Sequence, residues 1–412
     1  MDIIHRRQFL KSCAASIASA AAVGPMGSLI SCSTACPDGV NAPPVSQGRV
    51  LADLHCHPTL NDWNALSPIG VQNPTLARLV KSLLNRTGLT WKTSYQAGID
   101  LLCAAHFNMF DEWLSMPTDP NPGAIANTLR MMNLLEEELD KPEAKNYARI
   151  ARNAGELKRL VGVSRSSSEF RTAVVHAIEG GHALGGNPAA LDELARRGVA
   201  MITVSHFFSK GLGSAGNAFP FFPDANSRWP HQGLTELGLT VVGRMQELGI
   251  IVDVSHGTCA TVESILRHVS CPIVATHSSA RTLGDHPYSL YDEHIQEIAQ
   301  RGGIVGVIIM PYWLSNFGGE AEAVASGTLD DVVRTIVYIA KLVGPEHIGL
   351  GSDFSGFIPG PRDMSCLAQI DLLRSKIVKE FDEPATDRIM AQNVIDFILS
   401  NWTYPGRSPA RP

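Results

Sequence analysis

The sequence predicts an α/β fold, a (β/α)8 TIM barrel, from three observations. Eight short runs are apolar almost throughout, stretches of helical period separate them, and six of the runs end at a side chain assigned below to metal binding or proton transfer. The runs are 50–55, 98–106, 173–179, 199–206, 249–256, 271–277, 303–310 and 347–353. Most are near-continuous in Val, Ile, Leu and Ala, as strands buried on both faces should be. Between them, Leu234, Leu237, Val241, Met245 and Leu248 share one helical face, and Gly249 stops that helix. Further helices are expected near 74–86, 188–198, 258–268, 328–343 and 384–400. Strands alternating with helices in this way build a parallel barrel. A doubly wound open sheet uses the same alternation and is the rival.

Two connections are long. Residues 107–171 hold two helical stretches, and residues 207–233 are rich in Gly, Pro and Phe without helical period. A loop of the second kind is either a lid over a site or a packed surface loop.

The N-terminus reads as an export signal over residues 1–31. Arg6-Arg7 precedes Phe9-Leu10-Lys11 and an Ala/Ser-rich run, which resembles a twin-arginine signal. Leu29-Ile30-Ser31-Cys32 resembles a lipoprotein processing box, with Cys32 as the acylated residue. Residues 32–48 then form a tether, 49–402 the catalytic domain and 403–412 a flexible tail. These features predict a periplasmic or cell-surface protein, held at a membrane surface by its lipid.

The 412 residues carry a formal net charge of −6. Residues 1–31 contribute three positive charges and one negative, so the remainder stands at −8. That balance argues against a nucleic-acid partner. Of eight cysteines, Cys13 leaves with the signal and Cys32 is the expected lipid site; the other six are scattered without CxxC spacing, the large chain excludes a small disulfide scaffold, and an oxidising compartment would allow a disulfide that the sequence does not pair.

The chemistry lies at the run ends: His55 with His57, Glu179, His206, His256, His277 and Asp353. In a parallel barrel these ends converge on one face. Imidazole and carboxylate suit Zn²⁺, and the donors are too many for one ion. A workable division puts His55 and His57 on one ion and His256 and His277 on a second, with Glu179 bridging. The His-x-His pair can act together only if the backbone turns there, since a regular strand sends alternate side chains to opposite faces. Two such ions lower the pKa of water to about 7 and polarise a carbonyl. Asp353 would then carry the proton to the leaving group, and His206 would stabilise the oxyanion.

At these residues the chain resembles the membrane (renal) dipeptidase family of the amidohydrolase superfamily. The resemblance covers roughly 49–400. It rests on Ala177-Ile178-Glu179-Gly180-Gly181-His182-Ala183-Leu184, Gly233-Leu234-Thr235-Glu236, Val252-Asp253-Val254-Ser255-His256, Thr276-His277-Ser278-Ser279-Ala280-Arg281 and Gly349-Leu350-Gly351-Ser352-Asp353-Phe354. It implies a metal-dependent hydrolase with two zinc ions per subunit, often a homodimer, that cleaves dipeptides and tolerates a C-terminal D-residue. It assigns Glu179 as bridging ligand, His256 and His277 as second-metal ligands, His206 as the oxyanion histidine and Asp353 as the proton shuttle.

Three positions depart from the family pattern. His57 stands where an Asp is usual, making the centre one charge more positive. Tyr288, in His286-Pro287-Tyr288-Ser289, stands where an Arg grips the substrate carboxylate. One neutral hydroxyl is no equivalent of that two-pronged cation. Ser355 replaces an Asp. Tyr288, Arg281, His106 and His206 are the candidate substrate contacts. Loss of the Arg opens a second expectation, a small amide, lactam or ester without a free carboxylate. A non-catalytic binding lipoprotein is the third, disfavoured because every chemical position keeps a competent residue.

Overall fold

The computed structural model describes residues 51–61, 90–108, 111–112, 120–209, 211–216, 232–315, 326–356, 360–364 and 369–404. The expected export signal, Cys32, the tether, the 74–86 helix and much of 207–233 lie outside them.

Eight parallel strands form the barrel: β1 (Ala52–Cys56), β2 (Leu101–His106), β4 (Thr172–Glu179), β5 (Val199–Thr203), β6 (Ile251–Asp253), β7 (Val274–Ser278), β8 (Ile304–Ile308) and β9 (Ile348–Gly351). They pair in that order. The last returns to the first: Asp353 donates its N–H to the His55 carbonyl at 2.9 Å, and His57 to the Phe354 carbonyl at 2.8 Å. An open doubly wound sheet has no such bonds between its first and last strands.

One strand is additional to the expected eight. β3 (Ala148–Ile150) pairs with the start of β4. Three residues with an exposed Arg149 show no period that a sequence can reveal.

The described α-helices of five residues or more are α1 (Trp91–Gln96), α2 (Ala124–Asp140), α3 (Ala154–Val161), α4 (Ala190–Arg196), α5 (Glu236–Glu247), α6 (Cys259–His268), α7 (Asp292–Gln300), α8 (Leu329–Val343), α9 (Ile370–Ile377), α10 (Glu383–Asp387) and α11 (Asn393–Asn401). Their starts follow capping chemistry. The side chains of Asn153, Thr235, Thr258 and Asp382 each accept a first-turn N–H, and Thr328 with Asp331 forms a reciprocal capping box. Thr235 caps α5, whose first residue is Glu236, two after Leu234, so Leu234 flanks the helix instead of belonging to it. Gly249 ends the segment at φ 63° as expected. The helix expected at 384–400 is α10 and α11 joined by a π-helical stretch, Arg388–Gln392.

Alternation along the strands splits the core in two. Val174, Ile178, Leu102 and Ala104 join the helix layer, while Ala173, Val175, Leu101, Cys103 and Leu54 form a second cluster with Val394 and Ile398 of α11. Among the described residues no helix is long and apolar enough to cross a membrane.

Candidate metal centre

The strand ends bring the expected residues together. His55 and His277 lie in strands, Glu179 closes β4, and His57, His206, His256 and Asp353 follow one to three residues beyond a strand. The β1–β2 register slips between Asp53 and Cys56, and the strand stops before His57. That irregularity lets both histidines of His55-Cys56-His57 face one point, with their Nε2 atoms 3.1 Å apart. Cys56 instead donates its Sγ–H to the Cys103 carbonyl.

Glu179 sits at the middle. Its Oε1 lies 3.1 Å from His55 Nε2, 3.3 Å from His256 Nε2 and 3.5 Å from His277 Nε2. Its Oε2 lies 3.5 Å from both His57 Nε2 and His206 Nε2. Asp353 Oδ1 reaches His57 Nε2 at 3.0 Å and His55 Nε2 at 4.0 Å. His256 and His277 face each other with Nε2 atoms 2.7 Å apart. All seven residues are buried.

The donor set fits metal ions. His277 Nδ1–H donates to Thr276 Oγ1 at 2.9 Å, because the Thr276 hydroxyl is itself donated to Asp253 Oδ2 at 2.7 Å. This fixes the tautomer that leaves His277 Nε2 with its lone pair toward the centre. Burial pushes the His256 and His277 imidazoles below their ordinary range, which keeps them neutral and available as ligands. Burial opposes ionisation of Glu179 as well, but His206, His55 and His57 hold its carboxyl well below the usual range.

Backbone geometry serves the same point. The non-glycine residues with positive φ among the described ones are His256 (64°), Asp353 (56°) and Ser355 (62°). Strain of this kind persists where a site over-determines the backbone. Ser355 takes a left-handed conformation that Asp adopts more readily, and nothing in the structure explains the exchange. Gly180, at φ 92°, turns the chain after Glu179, and a Cβ there would meet His182 Nδ1 at 2.3 Å.

Residues outside the expected set complete the site. Glu112 Oε2 accepts from His206 Nδ1–H at 2.7 Å, and its Oε1 accepts the N–H groups of Phe207 and Phe208. Burial would raise the Glu112 carboxyl, but His206 and His182 hold it down at about 2. Burial lowers His206, yet Glu179 and Glu112 carry it above its ordinary value. Its Nε2 therefore faces the centre as a donor. Two aspartates brace the strand ends. Asp53 accepts from His55 N–H, Ser352 N–H and Ser352 Oγ–H. Asp253 accepts from Ser255, Thr276 and Thr203. A lone Asp inside an apolar run, two or three residues before a histidine, was the signal for both. Glu112 lies in a long connection and carried none.

The substrate-contact expectations divide. Tyr288 is buried with its ring 4.3 Å from that of His256 and 4.7 Å from Trp313, so it does line the centre. Arg281 does not. Its guanidinium pairs with Asp285 at 2.7 Å and stacks over Tyr291, drawn there by an exposed carboxylate and a ring face. His106 is also turned away. Its Nε2 bonds His176 Nδ1 at 2.8 Å, and His176 continues to Glu136 of α2. That pairing belongs to the outer face of the sheet, where alternation sends every second side chain toward the helices.

Residues 96–399 match the family model described as membrane dipeptidase (peptidase family M19). The chain belongs to the membrane dipeptidase family. Among curated relatives, a dipeptidase of Schizosaccharomyces pombe is 29% identical over 209 residues, 51% of this chain and 48% of the relative. Dipeptidase verJ of Clonostachys rogersoniana is 27% identical over 227 residues, 53% and 54% of the two chains. The chain thus spans about half the length of the curated relatives it matches. Solved structures share the fold. Dipeptidase AC, a metallopeptidase of family M19, superposes with a TM-score of 0.69 at 20% identity, covering 86% of this chain and 99% of that one. A metallopeptidase of Rhodobacter sphaeroides, liganded with a phosphinate mimic of L-Ala-D-Ala, gives 0.67 at 19% identity with the same coverage. The His/Glu clusters at the barrel mouth could hold metal ions.

Proposed function

We propose that this member of the membrane dipeptidase family hydrolyses dipeptides, including those with a C-terminal D-residue, with two zinc ions per subunit. The observation that carries the reading is Glu179. One of its carboxylate oxygens lies 3.1–3.5 Å from His55, His256 and His277 and the other 3.5 Å from His57 and His206, so the carboxylate stands within reach of ligands to either ion. His55 and His57 would hold one ion, and His256 and His277 the other. Zinc bound there supplies an acidified water, with a pKa near 7, and an electrophile for the scissile carbonyl.

The protein's own groups do the rest. Asp353 Oδ1 stands beside the His57 ligand, placed to accept a proton and return it to the leaving amine. His206 presents Nε2–H to the developing oxyanion, while Glu112 holds the other edge of the ring and balances its charge. The R. sphaeroides metallopeptidase, liganded with a dipeptide mimic, supports a dipeptide-sized substrate by likeness of fold. Export by the Arg6-Arg7 signal, a lipid at Cys32 that anchors the protein to a membrane surface, and a homodimer complete the proposal.

A second reading keeps the centre and changes the substrate. Tyr288 packs where the family carries a cation, and Arg281 is engaged by Asp285. Among the described residues, the recorded ion partners of Glu179 and Asp353 are imidazoles. This favours an amide, lactam or ester without a free carboxylate. The test is hydrolysis by the zinc-loaded enzyme of free dipeptides, with L- or D-residues at the C-terminal side, beside the same compounds amidated. Chelator-sensitive cleavage of the free acids establishes the dipeptidase, and Tyr288→Arg should then lower their KM about tenfold, one charge-assisted contact's worth. Cleavage of the amidated set alone replaces the first reading with the second.

A further inference from the structure

A second group of ligand-type side chains lies outside the barrel mouth, between α6 and α7. Cys259 is the first residue of α6, Glu263 stands one turn later on the same face, and His294 projects from α7. Cys259 Sγ is 3.1 Å from Glu263 Oε1 and 3.8 Å from His294 Nε2, and His294 Nε2 is 3.9 Å from Glu263 Oε1. A tetrahedral zinc with bonds of about 2.3 Å to sulfur and 2.0–2.1 Å to nitrogen or oxygen separates its ligand atoms by roughly 3.3–3.6 Å. The three observed edges bracket that value, so small side-chain rotations would make the triangle regular.

The surroundings favour a cation. Glu293 and Glu297 add negative charge around Cys259 and His294, and the nearby Arg281 is spoken for by Asp285 and Tyr291. The ring of His294 is buried and lies edge-on to Tyr291, which limits its swing, while Glu263 is half-exposed and leaves a fourth vertex to water. Other uses of the thiol fit less well. Among the described residues all four cysteines, Cys56, Cys103, Cys259 and Cys271, are free, so Cys259 pairs with no other described cysteine. Burial and Glu263 push its thiol up to about 11, the reverse of what a nucleophile needs.

We infer that Cys259, Glu263 and His294 form a third metal site, for a thiophilic divalent cation such as zinc, that ties α6 to α7. Binding releases the Cys259 proton to solvent and forms metal bonds to sulfur, one carboxylate oxygen and His294 Nε2, with water at the open position. α6 begins three residues after His256, and α7 follows the loop that carries His286 and Tyr288. The ion therefore clamps the two segments that flank one half of the barrel-mouth centre.

Cobalt distinguishes this site from the barrel mouth, whose ligands are nitrogen and oxygen. The full chain, loaded with Co²⁺ and dialysed, should hold one ion more per chain than Cys259→Ser and show a sulfur-to-cobalt charge-transfer band that the variant lacks. Equal metal content with no band in either protein overturns the inference, whatever the barrel mouth binds. Should Cys259→Ser fold poorly by circular dichroism, the surface change Glu263→Gln serves instead. It should keep the band but move its half-saturation to higher cobalt, and an unshifted titration curve also overturns the inference.

Discussion

The two halves of the barrel-mouth centre are built alike and braced differently. In each, two histidines face each other through Nε2, at 3.1 Å for His55 and His57 and at 2.7 Å for His256 and His277. Each half also has one buried aspartate just upstream. Asp53 ties β1 to β9 through His55 N–H and both donors of Ser352, and it touches no ring. Asp253 ties β5, β6 and β7 and reaches a ring, because Thr276 relays it to His277. His55 Nδ1 is a looser partner of the same hydroxyl at 3.4 Å, and in each half the second ring, His57 or His256, has an Nδ1 buried without a hydrogen-bond partner among the described residues. The halves therefore differ in one ring each, His277 being held by the Thr276 hydroxyl at 2.9 Å and His55 at 3.4 Å. Ring orientation can thus be tuned on one side of a shared carboxylate without rebuilding the other.

Glu179 joins the halves, so its loss should erase the comparison. Glu179→Ala is expected to lose at least one ion per chain and all measurable turnover, read by metal analysis and by substrate assay. Full metal content would remove it as the bridge. Asp353 belongs to one half only. Asp353→Asn keeps an oxygen beside His57 but cannot take a proton, so metal content should stay near wild type while kcat falls roughly 10²–10⁴-fold. An unchanged kcat would end its proton-transfer role.

What the sequence made legible was whatever strand ends enforce. Apolar runs ending in His55, Glu179, His277 and their neighbours located both the barrel and its mouth, because a parallel barrel has one place to put such ends. Contacts set by loops were not legible. Arg281 and His106 were plausible by type and position, but an exposed Asp285 captures the first and the outward pleat of β2 takes the second. Glu112 was invisible for the opposite reason. It reaches His206 from 94 residues away, out of a long connection and not from a strand end. Asp53 and Asp253 were visible in principle as charges inside apolar runs, which burial penalises unless donors surround them.

Those two aspartates give the finest test of the difference between the halves. In Asp253→Asn the amide that replaces Oδ2 becomes a donor facing Thr203 and Thr276. The Thr276 hydroxyl must then accept from it and turn its own proton toward His277 Nδ1, which moves the His277 proton to Nε2 and blocks the ligand lone pair. Metal affinity at the His256–His277 half should fall about 10–100-fold, the usual effect of losing a ligand's orienting partner. Asp53→Asn changes no ring, since Ser352 Oγ can accept from the new amide as readily as it now donates. Metal affinity should stay within about threefold of wild type, on both halves. The pH dependence should move instead. Burial raises the Asp53 carboxyl to about 6 from 3.8, so the folded, metal-stripped chain holds this proton more tightly than the unfolded one. Stability due to this group therefore falls as pH rises from about 4 to about 6 and is lowest above that range. Asp53→Asn should flatten that slope in urea titrations, and an Asp53→Asn protein that kept the slope but lost metal as Asp253→Asn does would make the two braces equivalent.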